Sequence, residues 1–237
     1  MKSIVTLLAI GIALVPATVR ADLIINGSFD TFVVTPPQDV NFGGWVRYFS
    51  PPPNTDITGW TVSGTPSDGA PNNVDLVHNS TYPSFTNTPG SNSLDMEGAI
   101  GASGVIFQSF ATTPGDTYTL SFEYANNPMP GPGSSGSMNV LVTGAGTLLN
   151  QDVTHSGSLF TNMNYQLFSQ TFVADSTTAT VQFEALTNSG FGIALDAVSV
   201  NLSGTPPPVP EPSSIVLLGS GLLGLASLLQ RRRFRRQ

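Results

Sequence analysis

Thr117-Tyr118-Thr119-Leu120-Ser121-Phe122-Glu123-Tyr124-Ala125 alternates without a break. Tyr118, Leu120, Phe122 and Tyr124 share one face, and Thr117, Thr119, Ser121 and Glu123 share the other. A period of two marks a strand with one buried face. Pro114-Gly115-Asp116 supplies a turn before it, which makes residues 105–110 the expected hairpin partner. Ala179, Val181, Phe183 and Ala185 alternate in the same way with Thr180, Gln182 and Glu184. Residues 138–143, 165–173, 179–185 and 193–202 read as further strands, and 59–63, 74–77 and 94–96 as strand-like runs. Residues 31–56 and 126–136, rich in proline or glycine, read as loops. No stretch holds a 3.6-residue period, and no internal repeat recurs at a fixed spacing. Short strands punctuated in this way predict an all-β fold, an antiparallel β-sandwich or jelly roll.

Charge is segregated along the 237 residues. The total is 8 Lys plus Arg against 15 Asp plus Glu, a net −7. Between Asp22 and Pro210, however, 14 acids face the single base Arg47, so this body carries −13 and no lysine. Phosphate backbones repel such a body, which excludes nucleic acid as a partner. The absence of cysteine excludes disulfides, thiolate metal sites and a cysteine nucleophile.

The two ends read as addresses. Residues 1–21 begin with Lys2, run through an apolar core at 4–15, and close on Val19-Arg20-Ala21, the layout of a secretory signal peptide helix. A buried N-terminal helix is the other reading, but nothing caps it. The ectodomain is expected at 22–203, followed by a stiff proline-rich linker at 204–212. Residues 213–230 then form an uncharged stretch, expected as a transmembrane helix. Its first 17 residues would span about 26 Å. Arg231, Arg232, Arg233, Arg235 and Arg236 follow within the tail at 231–237 and should hold that end in the cytoplasm.

Val209-Pro210-Glu211-Pro212, one apolar helix and a terminal arginine cluster together resemble the PEP-CTERM sorting signal of bacteria. The resemblance implies that Pro210, Glu211 and Pro212 are recognised by an exosortase-type processing enzyme. It also implies that the helix is a transient inner-membrane anchor. The protein would then be exported to the cell surface or extracellular matrix of a bacterium that makes exopolysaccharide.

The body carries a second resemblance. Leu23-Ile24-Ile25-Asn26-Gly27-Ser28-Phe29-Asp30, Gly59-Trp60, Gln108-Ser109-Phe110 and Ala194-Leu195-Asp196-Ala197-Val198-Ser199-Val200 follow the order found in galactose-binding-like jelly rolls. They look most like the bacterial choice-of-anchor C members, which are related to plant cell-wall DUF-type proteins and end in an interchangeable surface anchor. In that fold the first and last strands run side by side and often hold a structural calcium. The resemblance implies Asp30 and Asp196 as its ligands. The residues alone place Asp196 in phase with Ala194, Val198 and Val200, on the core-facing side. A buried carboxylate there needs hydrogen bonds, a pairing cation or calcium. Backbone amides and calcium are both open readings. Asn26 reads as a turn residue before Gly27.

Trp45 and Tyr48 are candidate sugar-stacking residues, with packing anchors as the competing role. Phe49, Tyr82 and Phe85 are further loop aromatics, and Trp60 reads as core. Asp75, Asp95 and Glu97 flank strand-like runs, either as polar-face residues or as hydrogen-bonders to a ligand. Two GxGxxG matches, at 131–136 and 219–224, lack the strand–turn–helix context that a phosphate site needs. With His78 and His155 the only histidines, no body lysine, and neither GxSxG nor HExxH, no catalytic residue stands out. The reading is an exported, non-catalytic jelly-roll protein that binds extracellular polysaccharide. A structural or adhesive matrix component and a glycan-active hydrolase are the alternatives.

Overall fold

Alternation becomes pairing in a computed structural model that describes residues 21–63, 72–82, 85, 91–98, 104–129, 131, 133–187 and 190–203. The described residues belong to one compact unit, Val19–Ser203. They form the strands β1 (Asp39–Asn41), β2 (Trp45–Ser50), β3 (Thr61–Ser63), β4 (Asn72–His78), β5 (Asn92–Asp95) and β6 (Val105–Ala111). These are followed by β7 (Thr117–Asn126), β8 (Ser135–Thr143), β9 (Thr147–Ser156), β10 (Gln166–Val173), β11 (Thr178–Ala185) and β12 (Ile193–Leu202). Every pairing among them is antiparallel. One sheet has seven strands in the order β1-β2-β4-β5-β12-β7-β10, and the other has five in the order β3-β6-β11-β8-β9. The expected all-β antiparallel sandwich is therefore the fold.

The main core forms where each sheet turns its apolar alternation inward. Val46, Tyr48, Val74, Leu76, Leu94, Leu120 and Phe122 come from the seven-stranded sheet, and Ile106, Val140, Val181 and Phe183 from the other. Phe122 stacks on Phe168 at 4.5 Å between ring centroids and meets Phe183 edge-on at 5.1 Å. Trp60 is 1% exposed and packs on Phe29, as its strand-like setting suggested.

Several expectations need correction. Residues 105–110 do form a strand, but β6 pairs with β3 and β11 and lies in the opposite sheet from β7. Pro114-Gly115-Asp116 thus carries the chain between layers: Gly115 N donates to Ala174 O at 2.8 Å. A period of two identifies a strand's buried face and not its neighbour. Residues 31–56 are not all loop, because β1 and β2 lie within them, flanked by the prolines that masked them. β9 was missed because its outward residues are polar and few of its residues are buried.

Asp196 is fully buried, but not in phase with Val198 and Val200. The β12–β7 register runs Asp196↔Glu123 and then Ser199↔Ser121, so β12 has one extra residue there. Ala197 takes up the bulge at φ 51°. Ile193 and Leu195 therefore join the main core, Ala194 and Asp196 face the opposite side, and Val198 and Val200 return to the core.

The segment 23–30 runs beside β12 as irregular backbone: Leu23 N donates to Val200 O and Val198 N to Gly27 O, both at 3.0 Å. Glycine is required at 27, since a Cβ there would lie 1.9 Å from Val198 O. Asn26 is the turn residue expected, with φ 56° and its Nδ2 donating to Thr31 O and Thr58 O. The expected signal helix, linker, membrane helix and arginine tail lie outside the described residues. Among the described residues, no helix is long and apolar enough to cross a membrane.

Candidate functional site

The outer face of the seven-stranded sheet carries a second, smaller apolar cluster. Val77, Phe85, Ala125, Met163 and Ala194 form it, with Trp45, Tyr82 and Tyr165 packed against it. Above these residues opens a cleft of about 380 Å³, in the size range of small-molecule sites. Trp45 and Arg47 reach it from β2, Asp75 and Val77 from β4, and Asp95 from β5. Each has an odd residue number, and the even-numbered neighbours Val46, Tyr48, Val74, Leu76 and Leu94 fill the core on the other side. Tyr82, Phe85, Asn127, Met129, Gly190 and Phe191 complete the walls from connecting segments.

The floor is a ladder of charges. Arg47 and Asp75 are cross-strand partners, joined twice: Nε donates to Oδ1 and Nη2 to Oδ2, each at 2.7 Å. Such a two-point pair fixes both planes. Gly98 covers it so closely that a Cβ there would sit 2.5 Å from Asp75 Oδ1 and 2.9 Å from Arg47 Nε. Asp75 is paired in turn with Asp95 across β4 and β5. Asp95 is 4% exposed and accepts from Glu97 N at 3.1 Å, Gly192 N at 3.2 Å and Asn127 Nδ2 at 2.6 Å.

Burial decides the protonation of both acids. It pushes Asp95 up to about 8, with the charge of Asp75 adding and the three N–H donors opposing. Burial also raises Asp75 to about 6, although its hydrogen bonds and attraction to Arg47 pull the other way.

Aromatic rings line one side in sequence. Phe42 stacks on Trp45 at 5.1 Å and 19°, Trp45 meets Tyr82 at 5.9 Å, and Tyr82 meets Phe85 at 6.4 Å. The Arg47 guanidinium carbon lies 5.5 Å from the Phe42 ring centre. The indole Nε1 of Trp45 is buried and has no hydrogen-bond acceptor among the described residues, a state that costs free energy unless something else accepts.

The structure separates the residues singled out from sequence. Trp45 lines the cleft, as do Tyr82, Phe85, Asp75 and Asp95. Tyr48 does not: three residues from Trp45 on the same strand, it points to the other side, is fully buried, and donates its hydroxyl to Val33 O at 3.0 Å. A sugar cannot stack on it. Glu97 is fully buried beside the cleft and accepts from Gly190 N at 3.2 Å.

Asp30 and Asp196 approach β5 from opposite faces. Asp30 accepts from Ser91 N and Asn92 Nδ2, whereas Asp196 accepts from Ala197 N and from Ser93 Oγ. Among the described residues, no three His, Asp or Glu side chains are grouped to hold a metal. His155 is structural: its Nδ1 lies 3.0 Å from Asn126 N and 2.8 Å from Asn126 Oδ1, and its Nε2 lies 2.9 Å from Asn164 O.

Sequence reasoning missed Arg47, Asn127 and Gly98. The signal for Arg47 was available, since it is the one base of the body and stands two residues from Trp45.

Two antiparallel sheets, one of them carrying an aromatic-walled cleft on its outer face, define an all-β sandwich domain. Residues 22–201 match the model described as Protein of unknown function (DUF642), and the chain belongs to that family. Residues 208–233 match the PEP-CTERM protein-sorting motif, which marks an exported protein sorted to the cell envelope or surface. No curated protein matches the chain in sequence.

Similar solved structures include TmCBM61 in complex with beta-1,4-galactotriose, at 11% identity and TM-score 0.46, covering 78% of this chain and 100% of that one. A second is a family 16 carbohydrate binding module, at 14% identity and TM-score 0.42, covering 76% and 99%. A third is a family 35 carbohydrate binding module from Clostridium thermocellum, at 16% identity and TM-score 0.39, covering 55% and 88%.

Proposed function

We propose that the domain is a non-catalytic glycan-binding module of an exported surface or matrix protein, and that the cleft beside Trp45 is its sugar site. The observation that carries this reading is the composition of the cleft. Flat aromatic surface at Trp45 and Tyr82 adjoins planar polar groups at Arg47, Asp75, Asp95 and Asn127. A sugar ring has the matching chemistry, with an apolar C–H face and a rim of hydroxyls. Rings stack on the first, and bidentate polar groups bind the second. A hydroxyl would also supply the acceptor that the Trp45 indole lacks.

Two carboxyl groups in one cleft raise the hydrolase alternative. Asp75, however, is held at both oxygens by Arg47, and three N–H groups occupy Asp95. These bonds support a binding role for the two acids over a nucleophilic one. The test is a glycan array with the full-length protein. Binding to an extracellular polysaccharide that Trp45→Ala abolishes, with no release of reducing ends, is expected. Absence of any glycan ligand would sink the reading, and reducing-end release would convert it to an enzyme.

Delivery is proposed to pass through an inner-membrane intermediate, cut by an exosortase-type enzyme at the Pro210-Glu211-Pro212 signal. The motif matched at 208–233 supports this. Deleting Pro210–Pro212 should trap the protein in the inner membrane; unchanged release would overturn the route.

A further inference from the structure

We infer that the glycan held in this cleft carries a protonated amine, as a de-N-acetylated hexosamine does, and that Asp95 receives it; this rests on the sugar-binding reading above. The inference starts from charge and geometry together. The outer sheet face bears Asp75 and Asp95 on adjacent strands, with the Asp196–Glu123 pair on the next strands of the same face. Arg47 is the only Lys or Arg between Asp22 and Pro210, and both of its bonds to a carboxylate go to Asp75. A uronate or sulfate entering the cleft therefore meets acids and no unengaged cation, and is disfavoured.

Asp95 is arranged for the opposite sign. Among the described residues its three hydrogen-bonding neighbours all donate to it, two to Oδ1 and one to Oδ2. Such donors favour the ionised form of a carboxyl group that burial otherwise keeps protonated, and among the described residues no cation stands beside it. A carboxylate offers about four lone-pair sites, so one remains on Oδ2 for a ligand donor. An ammonium suits that position better than a hydroxyl, because a hydrogen bond charged on both sides is shorter and stronger than one to a neutral donor. The proton that burial leaves on Asp95 answers the same shortage of positive charge, and an ammonium would replace it. Trp45 and Tyr82 would hold the ring that carries the amine.

The test is calorimetric titration of the full-length protein at pH 6.5 with three soluble hexamers: β-1,4-linked glucosamine, its fully N-acetylated counterpart, and cellohexaose. We expect the free-amine oligomer to bind at least tenfold more tightly than the other two. Asp95→Asn should remove that preference, and Trp45→Ala should weaken all three. Asp152→Asn, an exposed acid on β9 in the other sheet, controls for diffuse attraction to an acidic surface and should change nothing.

Equal or tighter binding of the N-acetylated or cello-oligomer to the wild-type protein overturns the amine while leaving the sugar site standing, and needs no variant to interpret. A preference lost equally in Asp152→Asn, or retained in Asp95→Asn, also overturns it. If none of the three hexamers binds, the amine inference fails. The glycan array then decides whether the sugar site fails with it.

Discussion

The two faces of the seven-stranded sheet are built from the same strands and follow opposite physics. On the inner face Val46, Tyr48, Val74, Leu76, Leu94 and Leu120 are fully buried against the second sheet. One residue away along each strand, the outer face presents Trp45, Arg47, Asp75, Val77 and Asp95. The inner face stabilises the fold by removing apolar surface from water. The outer face works against stability, because it buries carboxyl groups with too little positive charge to balance them. A fold tolerates such a local conflict where another requirement sets the residues, and the proposed sugar site would be such a requirement. On the proposed function the domain keeps stability and recognition on opposite sides of one layer.

The comparison breaks most severely at the inner face. Phe122→Ala removes a ring that touches Phe168 and Phe183 in the middle of the core. It should cost about 4 kcal/mol, read as a fall in the denaturant midpoint. A loss below about 1 kcal/mol would mean that the sandwich core is not packed as described.

The outer face should reveal itself through pH. Asp95 keeps its proton in the folded protein up to about pH 8, and an unfolded chain releases it near pH 4. Between those values the folded state binds the extra proton, so each step upward in pH favours unfolding. Asp75, raised to about 6, adds in the same direction. Stability should therefore fall by about 3 kcal/mol from pH 6 to pH 8, and Asp95→Asn should flatten most of that slope. A slope of the opposite sign would show that Asp95 is ionised and balanced in the fold.

Arg47→Met sharpens the same point at smaller cost. It leaves Asp75 without its only charged partner and should lose about 2 kcal/mol at pH 8. At pH 5 the loss should shrink, because Asp75 then takes a proton instead of standing as an unpaired charge. Equal losses at the two pH values would mean that the pair contributes packing alone.

How far these faces were legible from sequence depended on whether alternation survived intact. In residues 117–125 and 179–185 it did, and strand and buried face were both read correctly. On β12 one extra residue at Ala197 moved Asp196 to the other face. A bulge costs the sequence no hydrophobic residue and leaves no compositional trace. The cleft was half legible: Trp45, Tyr82, Phe85, Asp75 and Asp95 were all noticed as separate candidates. What joined them was strand order, with β2, β4 and β5 adjacent, and that is set by long-range pairing no local pattern encodes. Tyr48 was misread for the same reason that Arg47 was overlooked. With β2 taken for a loop, the opposite directions of residues 45 and 48, and the shared direction of 45 and 47, could not be used.

Trp45 and Tyr48 give the finest test of the two faces, since both are aromatic, share one strand and differ only in which side they occupy. Tyr48→Phe keeps the ring in the core and removes the hydroxyl that donates to Val33 O. It should cost about 1 kcal/mol of stability and leave glycan binding unchanged. Trp45→Ala removes a half-buried ring from the cleft wall and should cost a similar amount of stability, while glycan binding falls below detection. Stability alone would then fail to distinguish two residues whose functions differ completely, and only the binding measurement separates them. If Tyr48→Phe also weakened binding, the inner and outer faces would be coupled through β2, and the cleft could no longer be treated as independent of the core beneath it.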